Sequence, residues 1–399
     1  MMSLTRRSSL LGLAGAVSLG GTRLAFANAP AADAPTDRRF VVVILRGAMD
    51  GLATVVPYGD PAYAGLRGAA AEPGSGQPDA LLDLGGFHGL HPSLAGVHTL
   101  YKANQALIVH AVAGSYRIRS HFEAQDYLES GADHRMTSGW LNRAAGTLGH
   151  TGATGHEEAL AVGISVPLLL RGPTEVSNWA PRGMPEPSHA LYAQIAALNH
   201  DDTLLGPAIA EGLRDRGFSA SVMDAAPMEA ASRDRYGFPA LARGAGEMLR
   251  APNGPRIAAL ELGGWDTHTG QDTRLAQALK QLDEGLMALK DALGDAWART
   301  AVLTMTEFGR TARMNGTGGT DHGTASVAFV LGGAVAGGTV RGTWPGLSSL
   351  FENRDLAPTT DLRAVARGVL AQHMGLGPAA LDGVFPGSGT VGQMARLIA

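Results

Sequence analysis

The chain has 399 residues, with 32 Lys+Arg against 36 Asp+Glu, a formal charge of -4 and only 17% charged residues. It has neither a basic excess nor a basic run, which argues against a nucleic-acid partner, and its 45% hydrophobic content argues against a disordered chain. The absence of cysteine removes disulfides, thiol nucleophiles, zinc-thiolate sites and iron-sulfur clusters, so any metal must be held by His, Asp or Glu.

At the amino terminus, Thr5-Arg6-Arg7-Ser8-Ser9-Leu10-Leu11 sets paired arginines before a glycine-diluted apolar stretch. That pattern reads as a twin-arginine signal peptide over 1–27, with the translocase as a transient partner and Ala25-Phe26-Ala27 as the small-x-small cleavage site. Cleavage there removes Arg6, Arg7 and Arg23 and no acid, moving the charge from -4 to -7. Residues 28–39 read as an Ala/Pro/Asp linker before one domain over 40–399. No later apolar run reaches the roughly 18 residues of a membrane span. The expectation is a periplasmic or extracellular protein with no membrane span in the mature chain.

The short apolar runs Phe40–Leu45, Ala106–Val112, Arg256–Leu262, Thr300–Thr306 and Ser326–Leu331 each end in a glycine, polar or charged cluster. They read as strands buried on both faces. Between them, Leu275, Leu279, Leu282, Leu286 and Leu289 recur at three- and four-residue spacing and predict a helix over Thr273–Leu293. The alternation predicts an α/β fold with three layers, a mostly parallel sheet carrying helices on both faces. The stretch of about 181–252, with helical pieces at Ala190–Leu198 and Ala208–Leu213, reads as an inserted cap. A last helix is expected after Pro358-Thr359-Thr360-Asp361, capped by Thr359 or Thr360.

Ligands of open parallel sheets sit outside the carboxyl ends of the strands. The residues there are Arg46 to Gly51, Gly114 to Glu123, Gly263 to His268, Glu307 to Thr311 and, ahead of the last strand, Gly319 to Gly323. Imidazole and carboxylate ligands of this kind suit zinc or manganese, and a bound divalent ion polarises a phosphoryl or sulfuryl oxygen. The convergence of Asp266, His268, Glu307 and His322 on one sheet edge is the stronger signal, since a lone Asp-x-His occurs in many loops. Ser120 reads either as a nucleophile at a helix start, with His121 as its nearest base, or as an N-cap completing a capping box with Glu123. Arg310 and Arg46 have the geometry to hold the oxygens of a phosphate or sulfate. His88, His91 and His98 read as structural histidines, and Trp140 and Trp265 either line a pocket or pack on the sheet. The Gly332-Gly333 and Gly337-Gly338 pairs lack dinucleotide spacing, so no nucleotide cofactor is expected.

The segments LRGAMDGL, SHFEAQDYLESG, TSGWLNR, GGWDTHTGQ, TEFGRT and GTDHGTAS, in this order, resemble the twin-arginine-exported family of unknown function provisionally numbered fifteen-oh-one. That family is placed with the alkaline phosphatase-like and sulfatase-like superfamily. The resemblance implies an alkaline phosphatase-like domain with one metal held by Asp266, His268 and His322, and with Asp321 and Asp50 as further candidate ligands. In that superfamily a second ion takes an acid ending the first strand and an Asp-His pair ending a later one. Here Arg46 stands at the first place, with Asp50 four residues on, and Glu307-Phe308 replaces Asp-His. The resemblance therefore implies one divalent ion (zinc, manganese or calcium) in a hydrolase of phosphate or sulfate esters, acting on a small molecule or a glycan. The catalytic candidates are Ser120, His121, Glu307 and Arg310. The alternative is a catalytically degenerate envelope protein that binds an anionic or glycan ligand or a partner protein.

Overall fold

The computed structural model describes residues 37–68, 80–148, 159–181 and 237–399. The expected signal peptide, most of the linker and the helical pieces at 190–198 and 208–213 lie outside the described residues.

Besides a small sheet of two-residue strands at Val55–Val56, Leu82–Asp83 and Gly89–Leu90, the strands are β1 (Arg39–Leu45), β2 (Ala106–Ala113), β3 (Ala159–Val162), β4 (Ser177–Trp179), β5 (Ile257–Leu262), β6 (Thr300–Met305), β7 (Ser326–Leu331), β8 (Thr339–Arg341) and β9 (Thr360–Asp361). They form one nine-stranded sheet in the order β8-β2-β7-β6-β1-β5-β3-β4, with β9 beside β2. Neighbours pair in parallel except at β7, which runs against both β2 and β6. All five expected strands form, within a residue or so of their expected ends. The outer strands β3, β4, β8 and β9, of which β3 is paired on both sides, have two to four residues, too few to stand out as apolar runs.

The helices are α1 (Ala95–Lys102), α2 (His121–Ser130), α3 (Trp140–Thr147), α4 (Phe238–Arg250), α5 (Gln271–Leu293), α6 (Leu362–Gln372) and α7 (Pro378–Val384). Every residue of Phe40–Leu45 is fully buried, because successive side chains of a central strand enter opposite layers. Phe40, Val42 and Ile44 pack with residues of α3, α6 and α7, while Val41, Val43 and Leu45 pack with α1, α4 and α5. This is the three-layer α/β architecture that the alternation predicts. The six leucines of α5, the five of the pattern and Leu293, are all buried, each worth about 1.5–3 kcal/mol as an upper bound. Helix α4, inside the expected insertion, packs along α5 as a layer helix. A Cβ at Gly285 would overlap the ring of Phe238 there.

Two expected caps are corrected. At α2 the Ser120 side chain makes no cap hydrogen bond, and Glu123 accepts from Tyr116 Oη rather than closing the box. At α6 the cap is Asp361, which accepts from Arg363 N at 2.8 Å. Thr359 N is already bonded to Ala111 O, and Thr360 is paired with β2. Of the expected structural histidines, His91 and His98 are hydrogen-bonded, whereas the buried His88 Nε2 has no hydrogen-bond partner. His91 Nδ1 accepts from Ser93 N at 3.1 Å, His98 bonds Asp83 O at 2.9 Å, and the His88 ring lies 5.3 Å from that of His110. Trp265 is fully buried, with Nε1 donating to Leu262 O, and Trp140 stacks on Phe385. Trp265 packs on the sheet, and Trp140, besides packing on Phe385, lines a small cavity with Met305 and Leu362.

Candidate metal centre

Strands β1, β2, β5 and β6 end at one edge of the sheet, and antiparallel β7 begins there. The five segments marked by the sequence therefore meet at one place. His121 opens α2. Asp266 and His268 lie in the loop from β5 to α5, where Thr267 turns inward, fully buried, while its two neighbours stay at the mouth with side chains 44% and 42% exposed. Residues i and i+2 of extended backbone share a side, which is why the Asp-x-His spacing works here.

His121 Nε2, His322 Nε2 and a carboxylate oxygen of Asp266 lie within 4.8 Å of one another. The two imidazole nitrogens are 3.0 Å apart, and His322 Nε2 is 3.3 Å from Asp266 Oδ1. His268 joins them, its Nε2 lying 3.0 Å from both His322 Nε2 and Asp266 Oδ1. A tetrahedral ion with bonds of about 2.0–2.1 Å holds its ligand atoms about 3.3 Å apart, so the spacing of His121, His322 and Asp266 fits such an ion, while His268 stands at the far side of His322 and Asp266.

The outer nitrogens are all engaged. His121 Nδ1 donates to Glu307 Oε1 at 2.7 Å, His268 Nδ1 to Asp321 Oδ1 at 3.0 Å and His322 Nδ1 to the Arg119 carbonyl at 3.1 Å. Acceptors at all three Nδ1 atoms set the tautomers and leave the Nε2 lone pairs of His121 and His268 facing that of His322. Lone pairs at that distance repel unless a cation or a shared proton lies between them. The hydrogen bond to Glu307 raises the His121 pKa despite burial, whereas burial and the neighbouring His121 lower that of His322.

Glu307 is buried against Gly47 N at 2.9 Å and Gln125 Nε2 at 3.2 Å. Burial pushes its pKa up, but the bonds from His121, Gln125 and Gly47 outweigh it and hold the carboxyl below its ordinary range. Burial likewise raises Asp266, and Arg310 with the histidines brings it below the usual carboxylate value. Replacing Glu307 with glutamine keeps the shape and removes the charge on His121. Zinc affinity should fall about 10–100-fold, read by competition against a chelator, and unchanged affinity would count against the role.

Other candidates are placed differently. Asp50 is fully buried and caps the turn Gly51–Thr54. Its oxygens lie 2.6 and 3.1 Å from Arg67 Nη1 and Nη2, so it is a structural ion pair rather than a ligand. Asp321 lies behind His268 rather than in the cluster. Arg310 is buried, with Nη1 2.6 Å from Asp266 Oδ1 and further bonds to Thr320, so it orients Asp266 instead of presenting its guanidinium to a substrate oxygen. Arg46 is held by Glu129 at 2.9 Å and by Glu261. Phe308 packs its ring against His121 and His322, at 4.8 and 5.1 Å.

Gln125 and Arg119 were missed as contributors to the site. Gln125 stands four residues after His121, the spacing that shares a helix face, whereas nothing in the sequence marks a backbone carbonyl such as that of Arg119. Gly309 links Glu307 to Arg310 in a space where a Cβ would overlap the Ala325 carbonyl. Gly309→Ala should therefore cost about 1–3 kcal/mol in urea unfolding, and a neutral result would show that the two loops separate easily.

Fold and site together define an α/β protein with His121, His322 and Asp266 grouped, and His268 beside them, at the carboxyl edge of its sheet. The chain belongs to the family described as Protein of unknown function (DUF1501), which matches residues 91–385. The match takes in five of the six segments above and begins after LRGAMDGL. No curated protein matches the chain. Solved structures similar to it include the phosphonate monoester hydrolase of Agrobacterium radiobacter, at 13% identity, covering 86% of this chain and 74% of that one with a TM-score of 0.38. They also include the C-terminal periplasmic domain of EcEptC from Escherichia coli in complex with Zn, at 8% identity, 76% and 74% coverage and a TM-score of 0.35. A third is a 2-O GAG sulfatase, at 10% identity, 73% and 63% coverage and a TM-score of 0.30.

Proposed function

We propose that this chain is an exported hydrolase of phosphate or sulfate esters, of alkaline phosphatase-like type, with one divalent ion held by His121, His268, His322 and Asp266. The observation that carries the reading is the convergence of His121 Nε2, His322 Nε2 and an Asp266 carboxylate oxygen, with His268 Nε2 3.0 Å from the latter two and each imidazole fixed from behind. Three imidazoles and a carboxylate suit zinc or manganese, and calcium drops out because it takes oxygen ligands. When bound, such an ion polarises an ester oxygen and lowers the pKa of a water ligand.

The chain's own groups divide the remaining work. Glu307 and Asp321 hold His121 and His268 in the donor tautomer. Arg310 offsets the charge of Asp266 and aims it. His121 has both nitrogens committed, so it does not serve as the base of Ser120. Ser120 remains the candidate nucleophile, one residue before His121. The half-exposed Asp266 and His268 leave the mouth open to a small-molecule or glycan ester. Among the described residues no helix is long and apolar enough to cross a membrane, which is compatible with export by the twin-arginine route.

One observation favours the second reading, a catalytically degenerate envelope protein that binds an anion, a glycan or a partner. Arg46, locked between Glu129 and Glu261, occupies the place where the resembling enzymes keep a ligand of their second ion. The test is metal analysis of protein purified without chelators, followed by hydrolysis assays on aryl phosphate, phosphonate and sulfate esters. Near-stoichiometric metal with turnover that disappears in Ser120→Ala supports the enzyme. Stoichiometric metal without turnover of any ester class supports the binder, and the absence of metal removes the metal centre.

A further inference from the structure

Arg119 has φ +62°, a left-handed backbone that residues other than glycine rarely adopt. Its carbonyl is the acceptor of His322 Nδ1–H, so the peptide orientation that strains residue 119 also sets which face His322 turns to the cluster. Its guanidinium is clasped. Nε donates to Asp355 Oδ2 at 2.9 Å, Nη2 lies 2.7 Å from the same oxygen, and Nη2 also reaches Thr324 Oγ1 and Glu352. Asp355 is fully buried and anchored in turn by Thr324 Oγ1 at 2.8 Å and Arg354 Nε at 3.0 Å. Thr324 follows His322 by two residues, and Arg354 Nη2 donates to the His322 carbonyl. One buried carboxylate thus ties the segment entering the helix of His121 to the segment carrying His322.

The geometry points to Arg119 as a positioning residue of the metal centre: its clasp on Asp355 holds the backbone left-handed, and the left-handed carbonyl holds His322 with Nε2 turned inward. The inference rests on the metal reading above and extends it to a residue that touches no ion. A strained non-glycine conformation persists only where its surroundings over-determine it, and the clasp supplies that constraint. Without the clasp but with a Cβ, the backbone relaxes and carries the carbonyl away from His322. Without the Cβ as well, the left-handed conformation is unstrained and needs no clasp.

The test is the order of two truncations. Arg119→Ala should bind zinc about tenfold more weakly than the parent, measured by chelator competition, while Arg119→Gly should stay within about threefold. Should Arg119→Ala not fold, Arg119→Lys replaces it; lysine keeps the Cβ but lacks the fork, and should also bind more weakly than Arg119→Gly. A role of the guanidinium charge alone gives alanine and glycine the same loss, and that result, or equal affinity in all variants, overturns the inference. Nitrogen NMR of the imidazoles in metal-free protein supplies a readout independent of zinc. His322 should carry its proton on Nδ1 in the parent and in Arg119→Gly, and move toward the other tautomer in Arg119→Ala. An unmoved tautomer overturns the clasp. A parent that binds no zinc counts against the metal reading, and the tautomer comparison then decides the clasp by itself.

Discussion

The double variant His268→Ala/His322→Ala should lose zinc altogether, whereas the parent, purified without chelators, should carry about one ion per chain. Removing two of four ligands leaves His121 and Asp266, too few to retain an ion against a mild chelator. These two histidines are the ones to remove because their side chains are partly exposed, at 42% and 27%. Truncating Asp266 would instead strand the buried Arg310 guanidinium and confuse loss of metal with loss of fold. The effect on stability is correspondingly large. An ion that binds only the folded chain stabilises it by about 4 kcal/mol at a thousandfold excess over Kd. Added zinc should therefore raise the melting temperature of the parent and leave the double variant unmoved. Equal metal content and equal shifts in both proteins would place any binding elsewhere.

Arg67→Met should destabilise the fold by about 3–5 kcal/mol, because removing one partner of a buried pair leaves the other charge uncompensated. Both side chains are 1% exposed, and Arg67 also donates to Ala312 O at 2.8 Å and to Thr311 O at 3.1 Å. Four acceptors would lose a donor at once. Urea unfolding with an unchanged slope reads the loss, and a cost below about 1 kcal/mol would mean that the Asp50 carboxylate finds water. The pair also sets an acid limit. Burial pushes the Asp50 pKa up, but Arg67 and the bonds from Gln271 and Ala53 bring it below the ordinary value. A carboxyl whose folded pKa is depressed stabilises the fold above its unfolded pKa of about 3.9, and that contribution is lost as pH falls through the folded value. The stability gap between the parent and Asp50→Asn should accordingly narrow below about pH 4.

Asp50 reaches the cluster only indirectly. Its Oδ2 accepts from Gln271 Nε2 at 2.7 Å, Gln271 Oε1 accepts from Thr267 and Thr320, and Thr320 receives Arg310 Nε at 3.2 Å. Arg310 then meets Asp266. A buried polar chain of this kind rigidifies what it connects, which gives Asp50, Gln271 and Arg310 a common task behind the site. The placement of Arg310 weighs against its reading as an oxyanion clamp, since its side chain is closed off from solvent.

The sequence by itself determined the five central strands, the long helix α5 and the residue types of the centre. Burial on both faces writes a strand as an unbroken apolar run, and one buried helix face writes leucines at three- and four-residue spacing. Both signals are local. Asp266, His268 and His322 were likewise legible, because parallel strands bring their carboxyl ends to a common edge. The role of each side chain was decided only by tertiary structure. His121 changes from a base for Ser120 to a partner of Glu307 and His322, Asp50 from a ligand to half of an ion pair, and Arg310 from a substrate clamp to a partner of Asp266. In each case the deciding neighbour is distant in the chain: Glu307 lies 186 residues from His121, and Arg310 lies 44 from Asp266. An imidazole or carboxylate takes its function from whichever donor or acceptor faces each of its atoms, and that is set by the packing of loops from different strands.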